Sequence, residues 1–306
     1  MDGVLVIDKP AGPTSHDVVA LARRALGEPR IGHTGTLDPM ATGVLPLVVG
    51  RATRLASMLS GAAKTYDAAI RFGCATDTYD ATGRVAGDPD GPVASAVEIL
   101  PPDQITAVAI DAALARFRGT YDQTPPQYSA KKIGGVAAYK LARRKQDVTP
   151  SAVQVTVSDL RLRAYARGVA TVSVTASAGF YVRSLAHDLG AALGCGAHLA
   201  ALRRTRSGSF TLEMAVGLDV IAGERTGAAA RLVSLDHLLP ELPAARLNER
   251  GARRVGHGQA VGPEDCVEPA PAPREGRVRL LDPGGRLLGL AEPRAGGLLQ
   301  PVVVLV

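Results

Sequence analysis

The amino-acid sequence predicts an α+β fold. Strand-like apolar runs and helical periodicities both occur along its 306 residues, but not in the regular strand-helix-strand order that builds a doubly wound parallel sheet. The last quarter changes character, to short strand patterns broken by Pro- and Gly-rich turns. Single hydrophobic cores stop growing near about 250 to 300 residues. Two domains are therefore expected, 1–237 and a small β-rich 238–306.

In chain order, "GVLVID" reads as a short buried strand and "DKPAGPT" as a turn. Ser15 is placed to cap a helix running to Leu26, with Val18, Val19, Ala22 and Leu26 on one face and Gly27 as its stop. The stretch "GHTGTLDPMATG", residues 32–43, holds too many breakers for a helix or strand and is read as an irregular loop. "VLPLVV" then gives a strand, "RATRLASML" a short helix, and "KTYDAAIRF" a strand with Tyr66, Ala68, Ile70 and Phe72 on one face. Asp103 to Arg118 reads as helical. Residues from about 122 to 150 mix Pro, Gly and basic residues, as an inserted loop ending in a short basic helix does. Strands near 152–163 and 168–177 precede a helix from Tyr181 to Leu193. Beyond them "PELPAAR" reads as a linker, "PEDCVEPAPAPREG" as a Pro-rich loop, "RVRLLDPGGRLLGLA" as a hairpin with an Asp-Pro-Gly-Gly turn, and "QPVVVLV" as a final strand.

Charge narrows the class of partner. Formal net charge is +6, and Lys131, Lys132, Lys140, Arg143, Arg144 and Lys145 sit in a window without Asp or Glu. Such a patch favours an anionic partner, nucleic acid above all. Cys74, Cys195 and Cys266 form no C-x-x-C pair and no H-E-x-x-H occurs, so neither a disulfide framework nor a metal site is expected. With no basic leader and no run of about 18 apolar residues, a cytoplasmic protein without membrane association is expected.

Six segments carry a family resemblance: "GVLVIDKPAGPTSHDVV", "GHTGTLDPMATGVLPLVVGRATRL", "KTYDAAIRFGCATDTYDATG", "TPPQYSAKKIGGVAAYKLAR", "GFYVRSLAHDLG" and "LRRTRSGSF". In this order, over residues 1 to about 215, they resemble the TruB family of bacterial tRNA pseudouridine-55 synthases. The resemblance implies the pseudouridine synthase fold, with a mixed, mostly antiparallel sheet followed by a small PUA-like RNA-binding domain. It implies conversion of uridine 55 in the T arm of tRNA to pseudouridine, with no cofactor and no metal. The implied partner is the T stem-loop of tRNA, bound by a monomer without guide RNA. One departure is Phe180, which stands where the family usually carries threonine.

The reaction breaks an N-glycosidic bond, turns the uracil over and rejoins it through C5. It needs an ionised group beside the sugar and base, a site closed to water, and a base for the C5 proton. The resemblance makes Asp38 the catalytic carboxylate, attacking C1′, adding to uracil C6, or removing the C2′ proton. Taken alone, Asp38 and Pro39 make an extended turn dipeptide. Arg183 is implied to keep Asp38 charged: a guanidinium about 4 Å away is worth roughly 4 kcal/mol at an effective dielectric near 20, which can offset desolvation.

Tyr66 matches the tyrosine that stacks under the target base, although alternation alone makes it a half-buried core residue. His33 matches a residue that fills the gap left by the flipped nucleotide, and Leu202 one that packs near the uracil. Tyr181 belongs to the Arg183 block. Lys9 and Pro10 match a motif supporting the site by packing and hydrogen bonding, and Asp80 is placed to position Arg183 or the RNA. The basic insertion, with Lys131, Lys132, Lys140, Arg143, Arg144 and Lys145, is implied to clasp the RNA backbone, and Arg203, Arg204 and Arg206 are further candidates for phosphate contacts. Three other classes fit parts of the pattern: a glycosidase or N-glycosylase, a non-catalytic RNA-binding module, and a guide-RNA-dependent relative.

Overall fold

The computed structural model describes residues 1–85, 104–129, 132–133, 136–137, 150–222, 225–268 and 276–306. Its strands, in chain order, are β1 (Gly3–Lys9), β2 (Ile31–His33), β3 (Thr42–Val49), β4 (Lys64–Phe72), β5 (Gly119–Gln123), the small pair β6 (Lys132–Ile133) and β7 (Val136–Ala137), β8 (Val153–Ala166), β9 (Val169–Ala176), β10 (Ala197–Ser207) and β11 (Phe210–Thr211). A second sheet follows, of β12 (Ala244–Arg246), β13 (Val278–Leu281), β14 (Leu287–Pro293) and β15 (Leu299–Val304).

The large sheet runs β1-β3-β10-β4-β9-β8-β5, with β2 paired to β3 and β11 to β10. Its pairings are antiparallel except β3 with β10, where Arg203 lies opposite Thr42 and Arg204 opposite Gly43. That parallel step joins the end of the glycine-rich loop to the basic "LRRTRS" segment, 160 residues on. It requires glycine: a Cβ on Gly43 would lie 2.2 Å from the Arg204 carbonyl oxygen.

Strands β1 and β3 are buried on both faces, which explains their unbroken apolar runs. Leu5, Ile7, Leu45 and Leu47 face the main core, with the helices Ser15–Leu26, Ala107–Leu114 and Val182–Ala192. Val4, Val6, Val44 and Val48 point the other way and pack with Leu238, Leu239, Leu287, Leu290 and Leu305. The C-terminal sheet is thus docked onto the back of the large sheet through a shared core.

Several local expectations change. The cap of the first helix is Thr14 in a capping box with Asp17; Ser15 instead reaches the loop. The helical region after residue 103 is shorter, Ala107–Leu114 followed by a turn of 3-10 helix. "PELPAAR" contains β12, whose Ala245 is buried, so that stretch is structural and not a linker. Neither β10 nor the helix Glu249–Gly256, capped by Asn248, was expected. Among the described residues no helix is long and apolar enough to cross a membrane.

Because Leu290 is fully buried in the shared core, Leu290→Ala should cost about 2 to 5 kcal/mol of stability. Hydrogen exchange should then speed up together in β1 and β14; loss of protection confined to β14 would show that the two parts are uncoupled.

Candidate active site

Residues 34–41, between β2 and β3, form a loop held at almost every peptide. The Ser15 hydroxyl accepts from Leu37 N (2.9 Å) and donates to Leu37 O (3.1 Å). Thr34 N donates to Pro46 O, Gly12 N to Pro39 O, and Ala41 N to Asp38 O. Lys9, fully buried, donates its ammonium protons to the carbonyls of Pro10 (2.9 Å), Pro39 (3.2 Å) and Ala41 (2.8 Å). Of the three, the Ala41 carbonyl is the buried contact, and leaving a buried carbonyl unpaired costs roughly 1 to 3 kcal/mol. The loop is irregular yet fixed, and Asp38 stands at its centre.

Arg183 comes from the first turn of the helix Val182–Ala192. The start of that helix is fixed by Gln123, which accepts from Tyr181 N (2.8 Å) and donates to Tyr181 O (3.1 Å). The guanidinium is 5% exposed. Its Nη2 donates to Asp38 Oδ1 (3.1 Å) and Tyr128 O (3.0 Å), and Nη1 donates to Thr78 O (3.2 Å). Nε faces Asp38 Oδ2 at 2.9 Å without hydrogen-bond alignment, and lies 3.8 Å from Asp80 Oδ2.

Asp80 is buried behind the arginine, where its Oδ1 accepts from Thr78 Oγ1, Thr82 N and Thr82 Oγ1. The turn carrying it is pinned on β10 by Leu199 N to Tyr79 O and Ala81 N to Leu199 O. Tyr79 takes a left-handed backbone conformation, φ 65°, and stacks on His187 with centroids 3.8 Å apart.

In front of the ion pair is a cavity of about 250 Å³. Its wall includes Asp38, Tyr66, Phe180, Tyr181, Arg183 and Leu202, together with Lys64 and Arg204. The structure therefore brings Asp38, Tyr66, Arg183, Tyr181 and Leu202 to one place. Lys9 and Asp80 stand behind that wall. His33 lies next to the lining in sequence, its Nδ1 accepting from Gly35 N (3.3 Å) and its ring edge-on to His16. Pro10 is exposed and off the cavity wall; only its carbonyl takes part, as an acceptor for Lys9. The basic cluster Lys131, Lys140, Arg143, Arg144 and Lys145 lies outside the described residues, as does the Lys132 side chain.

Arg204 corrects an expectation. It is 1% exposed, donating to Val44 O (2.7 Å) and Gly35 O (3.0 Å) and contacting the Tyr66 hydroxyl, so it is no surface phosphate contact. Arg203 pairs with Asp8 at 2.8 Å, and Arg206 donates to Gly208 O. Alternation along β10 turns Leu202 and Arg204 inward, a signal hidden in the sequence by the run of basic residues.

The electrostatic balance at Asp38 also differs from a simple offset. Burial pushes its carboxyl above the ordinary aspartate range; Arg183 and Lys9 pull it back, and the Asp80 charge pushes it further up. Two carboxylates share one guanidinium, so Arg183 compensates only part of the cost. The Asp38 side chain keeps 32% exposure, which limits the desolvation that drives it towards the neutral form.

A family model described as TruB family pseudouridylate synthase (N terminal domain) matches residues 23–182. The chain belongs to the TruB family. Models for a tRNA pseudouridylate synthase B C-terminal domain and for pseudouridine synthase II TruB, C-terminal, match residues 183–241 and 243–305. The chain is similar to tRNA pseudouridine synthase B of Thermobifida fusca (strain YX), at 43% identity over 99% of this chain and 98% of the relative. It is 42% identical to the protein of that name from Solibacter usitatus (strain Ellin6076), over the whole of both chains. Among solved structures, the archaeal box H/ACA sRNP Nop10-Cbf5 complex matches with TM-score 0.71 and 26% identity, over 99% of this chain and 86% of that one. A chain of an H/ACA RNP bound to a substrate RNA containing 2′-deoxyuridine matches at TM-score 0.72 and 24% identity, over 99% and 85% of the two chains, and shows the same fold. The fold is thus the α+β pseudouridine synthase fold.

Asp80 and Lys9 act on Asp38 with opposite sign. Followed by carboxyl ¹³C NMR, the titration midpoint of Asp38 should lie above the ordinary aspartate value, fall in Asp80→Asn and rise in Lys9→Met; a midpoint unmoved by either change contradicts this balance.

Proposed function

We propose that the chain isomerises uridine 55 in the T arm of tRNA to pseudouridine, with Asp38 as the catalytic carboxylate. The observation that carries the proposal is the Asp38–Arg183 pair standing at the wall of a cavity beside Tyr66 and Leu202. Among the lining residues Asp38 is the sole carboxylate. Common glycosidases need two, one as acid and one as base or nucleophile, whereas an isomerisation that keeps the uracil bound needs one.

The steps follow from this set. Uridine 55 leaves the T loop and enters the cavity, at a cost of a few kcal/mol of stacking that an inserted side chain offsets in part. His33, at the loop edge, is the residue proposed for that gap. The ionised Asp38 then attacks C1′, adds to C6 or removes the C2′ proton; each route ends with the N1–C1′ bond broken. The uracil turns between Tyr66 and Leu202, and C5 bonds to C1′. Loss of the C5 proton, which Tyr66 is proposed to help remove, and gain of one proton at N1 restore the aromatic ring, so the net proton movement is from C5 to N1. No atoms are lost and the overall redox state is unchanged.

Binding is proposed to rest on phosphate contacts from the basic insertion, Lys131 to Lys145, and on the C-terminal sheet as a PUA-like module, with specificity from RNA shape and the extruded base. Guide RNA is not required under this reading, which the 42–43% identity to proteins named tRNA pseudouridine synthase B supports over the more distant H/ACA relatives. The monomer and the cytoplasm complete the proposal.

The test is to map pseudouridine in an unmodified tRNA transcript after treatment with the purified chain alone. Pseudouridine at position 55 is expected; free uracil, or activity only with a guide RNA, would overturn the reading. Asp38→Asn should slow formation by at least about 10² to 10⁴-fold while tRNA affinity, measured by filter binding, changes only a few-fold.

A further inference from the structure

Two cations at the cavity take no part in the Asp38–Arg183 pair. Lys64 opens β4 two residues before Tyr66, and Arg204 lies directly across from Tyr66 on β10. They are 6% and 1% exposed. Lys64 Nζ donates to the carbonyls of Ser60 and Ala62 at the end of the helix Ala56–Gly61, and Arg204 donates to those of Val44 and Gly35. Among the described residues neither forms an ion pair with a carboxylate. The lining carries Lys64, Arg183 and Arg204 against Asp38 alone, so once Asp38 is matched with Arg183 two positive charges stand uncompensated.

Buried charge without a counter-ion is costly, and the strain is visible at Lys64: burial, with Arg204 adding repulsion, pushes its ammonium down to about 8. Gly35 borders both cations without a side chain. A Cβ there would lie 3.5 Å from Arg204 Nη1 and 3.7 Å from Lys64 Cε, so a larger residue would roof both cations. Gly35, Lys64 and Arg204 all line the cavity.

Under the reading above, which this inference rests on, the cavity receives one nucleotide of an RNA strand. The anions that nucleotide must bring are its two flanking phosphodiesters. We propose that Gly35, Lys64 and Arg204 form an anion subsite that holds one of the phosphodiesters flanking the extruded uridine. Lys64 makes the contact, Arg204 supplies the field behind it, and Gly35 lets the RNA backbone approach. The substrate thereby provides the counter-charge that the protein omits.

The test uses T-arm RNA oligonucleotides with a neutral methylphosphonate 5′ or 3′ of the target uridine. Each carries a 2′-O-methyl group on the preceding ribose and is compared with the same 2′-O-methyl RNA bearing a normal diester. In the parent protein one of the two neutral linkages should weaken binding about tenfold. In Lys64→Gln, which removes the positive charge, that penalty should fall below about twofold, and in Lys64→Arg it should return. Lys64→Met, which removes the charge and keeps the length of the side chain, should lose the penalty as well and serves if Lys64→Gln fails to fold. No penalty at either linkage, or equal penalties in the parent and the variants, overturns the subsite. Pseudouridine formation by the parent on the unmodified oligonucleotide, measured in parallel, separates that outcome from failure of the isomerase reading.

Discussion

One ion pair organises this molecule: the carboxylate of Asp38 against the guanidinium of Arg183, 145 residues apart in the chain and 2.9 Å apart in space. The pair is useful only if it is both desolvated and ionised, and these demands conflict. Burial drives the carboxyl towards its neutral form, while at about 3 Å an opposite charge returns roughly 5 kcal/mol at an effective dielectric near 20. The surrounding structure maintains that balance from both sides. Lys9 and Ser15 lock the loop that carries the acid, while Gln123, Thr78, Tyr128 and Asp80 lock the arginine.

The same economy of side chains extends into the sheet. The parallel pairing of the large sheet among the described residues, β3 with β10, seats Gly43 against Arg204 and so couples the end of the Asp38 loop to the wall of the cavity. Cations beneath the site are held by carbonyl oxygens and not by carboxylates: Lys9 by three, Lys64 by two, Arg204 by two. Neutral oxygens fix these groups in place without cancelling their charge, and the cavity remains positive towards an incoming polyanion. On the opposite face, the valines of β1 and β3 share a core with the C-terminal sheet.

How much of this was legible in the sequence depends on the range of the interaction. Strands β1, β3, β4, β8, β9 and β13 to β15 follow from local apolar patterning, and the first helix from its apolar face and the Gly27 stop. The cap fell one residue earlier, on Thr14, because Ser15 was drawn to Leu37 by a tertiary contact. Strand β10 was missed because its inward positions include Arg204, a residue whose burial depends on partners far away. "PELPAAR" looked like a linker because two prolines mask a three-residue strand that exists only through pairing with β13. Asp38, Tyr66, Arg183, Tyr181 and Leu202 were named through family resemblance and do converge. The contributions of Lys64, Gly35 and the carbonyls of Thr78 and Tyr128 were invisible, since backbone acceptors and bare glycines leave no chemical signature in a sequence.

The central claim is that Arg183 keeps Asp38 ionised in the cavity. Single-turnover pseudouridine formation, followed against pH in the parent and in Arg183→Met, tests it most directly. Removing the guanidinium leaves burial and Asp80 unopposed at Asp38, so the acid limb of the rate profile should move to higher pH, with the rate of Arg183→Met still rising where the parent is flat. A profile of unchanged shape and midpoint, merely scaled down, would contradict the account.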